Sequence, residues 1–217
     1  MNDDAEGPSS LDRRSYTDAL RVYGFSDGFF AIIITLLVIE IRRPHADEGE
    51  LGTALIQAWP SYAAFALAFI YVGVIWLNHH GLFKLIKRVD SRLNWINLGI
   101  LGTSALIPFP TGVLAEAFQA GNLADQRAAV VLYGAIAGLM SLAWAPLFPY
   151  LERHRRELAP EVPTGFFGKQ RSRPWVGVLA YTAAIFLGWF VSPWIAIIIF
   201  VLMVAYHAWT SEGIRRT

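Results

Sequence analysis

The chain has 217 residues, of which 55% are hydrophobic and only 16% charged, with a formal net charge of +1 and no cysteine. A soluble domain carries about 25% charged residues. The composition therefore points to an all-α polytopic membrane protein, with nothing to suggest a nucleic-acid partner and with disulfides, thiolate metal sites and a cysteine nucleophile excluded.

The N-terminal run MNDDAEGPSS is polar and acidic and lacks the basic start of a signal peptide. Residues 1–16 are expected to form a disordered cytoplasmic tail, 17–211 a six-helix transmembrane domain, and 212–217 a second cytoplasmic tail. A bilayer core takes about 20 helical residues, and six segments qualify as spans, at about 17–41, 58–83, 93–114, 128–151, 175–190 and 194–209. Only a Val-Ser-Pro turn separates the last two, which predicts a tight helical hairpin. Pro44, Pro60 and Pro193 fall near span ends, where a missing amide costs little. Pro108, Pro110, Pro146 and Pro149 predict kinks in or near the ends of the third and fourth spans. The longest connection, from Glu152 to Pro174, is basic and reads as a cytoplasmic loop with room for a short surface helix.

Basic residues orient the bundle. With the N-terminus inside, 15 of the 18 lysines and arginines lie on the cytoplasmic side, and only Arg42, Arg43 and Arg127 lie outside. Both termini are therefore expected in the cytoplasm of a cell with the protein in its membrane. Trp59, Trp175, Trp194 and Trp209 fall near span ends, as interfacial anchors should.

The first span carries polar groups in an otherwise apolar run. On a wheel of about 100° per residue centred on Ile32, Phe25, Gly28, Thr35, Leu36 and Ile39 all fall within about 60°. Asp27 lies about 140° away and Ser26 about 120° away on the other side. Arg21 and Asp27 are six apart, so each is expected to find its partner on another helix. At the same cytoplasmic depth the second span ends with Trp76, Asn78, His79 and His80, and the third begins with Asp90, Asn94 and Asn97. Topology alone thus predicts a polar cluster between three helices. It reads either as structural glue or as a site of proton transfer or ion coordination by Asp27 and the histidines. Adjacent histidines point about 100° apart on a helix and make a poor chelating pair, so no metal site is expected.

These residues resemble a known family. Arg21, Phe25, Ser26 and Asp27 spell RxxxFSD, followed by GFFAIIITLLVIEI. Trp76, His79, His80, Leu82 and Phe83, then Asp90, Asn97 and the stretch Pro108-Phe109-Pro110-Thr111, complete a similarity to the transmembrane protein 175 family of endolysosomal potassium channels and their prokaryotic relatives. The resemblance implies a homotetramer of six-span subunits around a central pore lined by the first helices. The animal proteins join two such units in one chain, and one unit is present here. No re-entrant filter loop belongs to that family, and this chain has no TVGYG-like element, so a carbonyl cage is not expected. The resemblance places Ile32, Leu36 and Ile39 at pore and gate positions and Thr35 at the hydroxyl position of the filter. It places Arg21, Phe25, Ser26, Asp27, Trp76, His79, His80 and Asn97 in a structural network. The partners implied are K+ and other monovalent cations and membrane lipid, with no cofactor beyond the permeant ion.

Other features have plainer readings. Gly134 and Gly138 form a GxxxG expected to serve close helix packing. Glu116 and Asp125 flank an outer loop, and His154 lies in the basic loop, where solvation is expected. His207 reads as a packed or interfacial residue. Glu40 lies about 80° round from Ile32, either beside the outer vestibule or paired with Arg42 or Arg43. The rival functions are a secondary transporter or proton-coupled exchanger using Asp27 with His79 or His80, and a membrane enzyme or haem protein using His79, His80 and His207. The first lacks inverted repeats and broken helices. The second has no nucleophile, phosphate loop or metal-spaced cluster to support it.

Overall fold

A computed structural model describes residues 10–155, 158–160 and 162–211 of the chain. Its helices are α1 Ser10–Ile39, α2 Leu51–Gln57, α3 Trp59–Phe83, α4 Ser91–Ala105 and α5 Pro108–Ala120, then α6 Leu123–Trp144, α7 Leu147–Arg153, α8 Phe166–Gln170, α9 Arg173–Phe190 and α10 Pro193–Trp209. The expected tails fall outside the described residues at 1–9 and 212–217. α1 starts at Ser10, ahead of the expected Thr17.

Four helical stretches are long and apolar enough to cross a membrane, at Ala19–Ile39, Trp59–Phe83, Ser91–Ala120 and Leu123–Arg153. The last two are the pairs α4–α5 and α6–α7. Each pair is interrupted where the sequence places proline. Leu106 and Ile107, just before Pro108, bond back three residues to Thr103 and Ser104, and Ala145, before Pro146, bonds back to Leu142. The tightened turn takes up the bond that the proline ring denies to its helix. α9 and the apolar α10 form the expected hairpin. Leu187 O accepts from both Val191 N and Ser192 N at the turn, and Pro193 opens α10 at a position that needs no amide.

Small residues set the closest helix approach. A Cβ placed on Gly134 would lie 2.7 Å from Ile185 Cγ1, and one on Gly188 2.8 Å from Val130 Cγ2. The α6–α9 seam is therefore closed by glycine, and α6 and α9 are extensively packed. α10 packs on both of these and on α3, and α1 packs on α3, α4 and α5.

Two apolar cores result. The larger fills the bundle from Phe30, Ile33 and Leu37 on α1 across to Phe200 on α10. The smaller gathers Leu82, Leu93, Leu147 and Leu151 with Leu158, Val162 and Phe167. The basic connection is therefore anchored to the bundle: Ala159 N donates to Leu85 O at 2.8 Å, and Phe167 and Gln170 of α8 are buried. α2, which the hydropathy pattern does not announce, follows the outer end of α1 and has no buried residue.

Candidate functional site

The middle of α1 is fixed by two hydrogen-bonded chains, which start on adjacent residues and diverge. Asp27 Oδ1 accepts from Trp76 Nε1 at 2.8 Å, and both its oxygens lie 3.2–3.3 Å from His80 Nδ1. The Tyr23 hydroxyl reaches both ring nitrogens of His80, at 2.5 and 2.8 Å. With Nδ1–H directed at the carboxylate, Nε2 is left to accept from that hydroxyl. Trp76 and His80 are four apart on α3 and Tyr23 and Asp27 four apart on α1, so each pair shares a face.

The second chain runs from α3 through α4 to α1. His79 Nε2 donates to Asn97 Oδ1 at 2.7 Å, Asn97 Nδ2 donates to Ser26 Oγ at 3.0 Å, and Ser26 Oγ donates to Val22 O at 2.9 Å. Because Asn97 has its amide hydrogens on Ser26, its carbonyl must accept, which fixes the His79 tautomer. All three side chains are buried. The His79 ring stacks on Phe83 with centroids 3.9 Å apart. The angle that makes adjacent histidines poor joint ligands is what sends His80 to Asp27 and His79 to Asn97. Among the described residues no three His, Cys, Asp or Glu side chains converge as a metal group.

Of the other residues singled out by motif, Phe25 is exposed and touches only the neighbouring Phe29 ring among aromatic partners. Arg21 is exposed and has no ion pair or hydrogen bond among the described residues. It sits about 20° from Ile32 on the helical wheel, which places it at the entrance of the exposed face and away from Asp27. Tyr23 belongs to the polar site but not to the motif. Its position four residues before Asp27 was the signal available for it. Asp90 takes a different part: its carboxylate caps α4, accepting from Leu93 N at 2.8 Å. Burial acts to raise the Asp90 carboxyl, but hydrogen bonds from Leu93 N–H and Tyr150 hold it below its ordinary value. His154 is half-buried and stacks on Tyr150.

The opposite face of α1 is bare. Ile32 is 59% exposed, Leu36 41% and Ile39 70%, and Gly28 and Thr35 on the same stripe are exposed as well. Only 22% of this span is buried in the subunit, against 39–56% for the other three. Thr35 Oγ1 donates its hydrogen to Ile32 O at 2.8 Å. Its oxygen lone pairs remain available to an external cation.

Beyond Ile39 the chain meets α5. Arg42 Nε lies 2.6 Å from Glu116 Oε1, a pairing between distant positions that the sequence reading did not contain. Glu40 takes neither neighbouring arginine as a salt-bridge partner. Its carboxylate rests against Gly112, where any side chain would displace it. Burial raises the Glu40 carboxyl above its usual value, Arg42 acts against this, and Glu116 adds to it.

Residues 21–108 match the model of a family described as the endosomal/lysosomal potassium channel TMEM175. A protein of Streptomyces collinus named as a potassium channel is 38% identical over 174 residues, which cover 80% of this chain and 84% of that one. A Chamaesiphon minutus protein, also named as a potassium channel, is 32% identical over 196 residues, covering 89% and 95%. The crystal structure of a lysosomal potassium-selective channel TMEM175 homolog from Chamaesiphon minutus superposes with a TM-score of 0.76 at 31% identity, over 90% of this chain and 99% of that one.

Proposed function

The chain belongs to the TMEM175 family, and from that premise we propose that it is a potassium-permeable cation channel of the cell membrane. Four copies surround a central pore lined by α1. Six membrane crossings per subunit, with α9 and α10 as the fifth and sixth, put both termini on one side, and the 15-of-18 bias of basic residues argues that this side is the cytoplasm. The observation that carries the reading is the two-sided character of α1. One side is fastened by Asp27 and Ser26 to α3 and α4, and the other offers Ile32, Leu36 and Ile39 to nothing within the subunit.

Four copies of that stripe make stacked apolar rings about 10 Å long, from seven residues at 1.5 Å each. A narrow apolar neck sheds water, and a bare ion cannot replace its hydration shell there, so the constriction gates without touching closure. Ile32 forms the tightest ring because it lies nearest the polar fastening. Thr35 supplies weak oxygen coordination one turn further along. Lacking a charged ring or carbonyl cage, the pore selects by width and dehydration cost, giving a modest potassium preference. Arg21, in line with the same stripe, faces neighbouring copies at the cytoplasmic entrance.

The purified protein in liposomes, loaded with potassium, sodium or caesium, tests this through concentrative flux. Flux with potassium at or above sodium is expected, together with a tetramer by size in detergent. A monodisperse monomer without flux would remove the channel reading.

A further inference from the structure

We propose that a groove between α3, α5 and α10, at the end of the bundle marked by Trp59 and Trp194, holds one acyl chain of a membrane phospholipid. The start of α3, the end of α5 and the start of α10 meet there, so Trp59, Phe118 and Trp194 share that end. The Phe118 and Trp194 rings pack edge to face with centroids 5.0 Å apart. The groove encloses a cavity of about 170 Å³. Small side chains leave the room, with Ala63 and Ala64 on α3 and Ala115 on α5. α1 contributes no residue to the lining, so the groove is separate from the exposed Ile32 stripe.

The lining decides the chemistry of the occupant. Leu67 on α3, Leu114 on α5, and Ile197 and Val201 on α10 form the walls, and the indole N–H groups of Trp59 and Trp194 are the only polar side-chain groups. A buried water needs about two to four polar partners, so this cavity stays dry. An apolar cavity of roughly 150 Å³ takes up a benzene-sized hydrocarbon, and a space left empty forfeits the dispersion contacts of the atoms around it. The lining holds no charged group, amide or hydroxyl side chain with which to grip a head group.

Shape and surroundings favour a chain over a compact solute. From Trp59 to Leu67 α3 descends about 12 Å, and from Trp194 to Val201 α10 descends about 10 Å, at ~1.5 Å per residue. One leaflet of the hydrocarbon core is about 15 Å deep, half of ~30 Å. The groove therefore follows most of the path of one acyl chain, starting from two indoles whose N–H groups suit ester carbonyls. α3 and the α4–α5 stretch are long and apolar enough to cross a membrane, and α10 is a shorter apolar helix. Ala63 and Val201 are exposed and Leu67 and Ile197 half-buried, so the groove opens sideways along its length. Lipid tails are as apolar as leucine, so close packing, rather than removal from water, holds the chain.

The test uses the full-length protein in phosphatidylcholine vesicles doped with a phosphatidylcholine that carries a photoreactive diazirine midway along one acyl chain. Leu114 and Ala115 are 4% and 3% exposed, so a label on them reports a chain inside the groove. Leu179 and Phe186 on α9 are exposed and report bulk lipid, and the fully buried Ala137 and Ala184 give the background. After irradiation, Leu114 and Ala115 should be labelled well above Ala137 and Ala184. Ala63→Phe fills the mouth from an exposed position and should cut the Leu114 and Ala115 labels several-fold, while Leu179 and Phe186 keep theirs. Val201→Trp should do the same from the opposite wall, and serves if the first variant does not fold. The proposal fails if Leu114 and Ala115 are labelled no more than the background, or if folded variants leave their labels unchanged. The chain has no cysteine, so Ala63→Cys checks for a second copy in the groove. Disulfide-linked pairs forming from it in the vesicles would put protein there and overturn the proposal. None of these readouts measures ion flux, so they succeed or fail separately from the channel reading.

Discussion

Going round α1, the environment inverts within a single turn. Ser26, Phe30, Ile33 and Leu37 are fully or almost fully buried, and Ile32, Leu36, Val38 and Ile39 lie open. Both sides are apolar along most of their length, so hydrophobicity does not separate them. The difference is in the first half of the membrane-crossing stretch, where Asp27 and Ser26 both point away from Ile32. In an apolar solvent, burial of one more isoleucine gains little, whereas a buried polar group without a partner costs several kcal/mol. The carboxylate and hydroxyl therefore set the rotation of α1, and the apolar residues follow. On the fastened side they become core. On the free side they are left for another subunit, a pore or lipid.

The largest expected effect comes from changing the free side. Ile32→Asn keeps the helix and places an amide in the neck, which should hold water there. Basal flux is expected to rise several-fold, with a fall in potassium-over-sodium preference. Ile32→Ala should leak more than Ile34→Ala, because Ile34 points about 200° away and packs against the core. Equal flux from the two alanine variants at matched protein levels would show that the free face does not line the pore.

On the fastened side the expected changes are in stability and assembly. Asn97→Leu leaves His79 Nε2 without its acceptor, and Asp27→Ala leaves Trp76 Nε1 without its own, at about 1–3 kcal/mol per unsatisfied group. The Asn97 change should be the more severe of the two, since its partners are fully buried and those of Asp27 are partly accessible. Thermal unfolding and oligomer size in detergent report this. A stable, normal-sized Asp27→Ala oligomer with altered selectivity would instead place the carboxylate on the conduction path.

Much of this contrast was readable from spacing. The wheel separates Asp27 and Ser26 from Ile32 because α1 is one unbroken helix, and Pro108 and Pro146 announce their own breaks. What spacing lacks is the rotation of one helix against another. That rotation decides that His80 meets Asp27 and His79 meets Asn97, and it joins Arg42 to Glu116 across 74 positions of chain. The 152–174 connection escaped for a different reason. Its charge suggests solvation, but Leu158 and Val162 reach the core through irregular backbone and Phe167 through the short α8.

A smaller effect belongs to Thr35, on the free side one turn above Ile32. Thr35→Val retains shape and removes the oxygen lone pairs, along with a hydrogen bond to Ile32 O that the helix can lose cheaply. Potassium preference should fall modestly while flux persists. Unchanged permeability ratios would remove Thr35 from the filter and leave selection to the apolar rings alone.

The smallest effect is expected just past the outer end of α1, at Glu40. Its carboxyl is raised above the usual value, first by burial against α5 and then by Glu116, with Arg42 opposing. A raised carboxyl binds its proton more tightly in the folded state than in the unfolded one. It therefore contributes stability at low pH, and that contribution is lost as pH rises through the folded-state pKa. Glu40→Gln removes the charge and keeps the shape against Gly112. Above that pKa the variant should unfold at a slightly higher temperature than the wild type, and the gap should close on acidification. The effect stays small because Glu40 is only half-buried, and the neighbouring Arg42–Glu116 pair, 75% and 46% exposed, adds about 0–1 kcal/mol. A variant less stable than wild type at neutral pH would mean that the Glu40 charge is held by a cation, Arg42 or a partner subunit's Arg43, more strongly than burial opposes it.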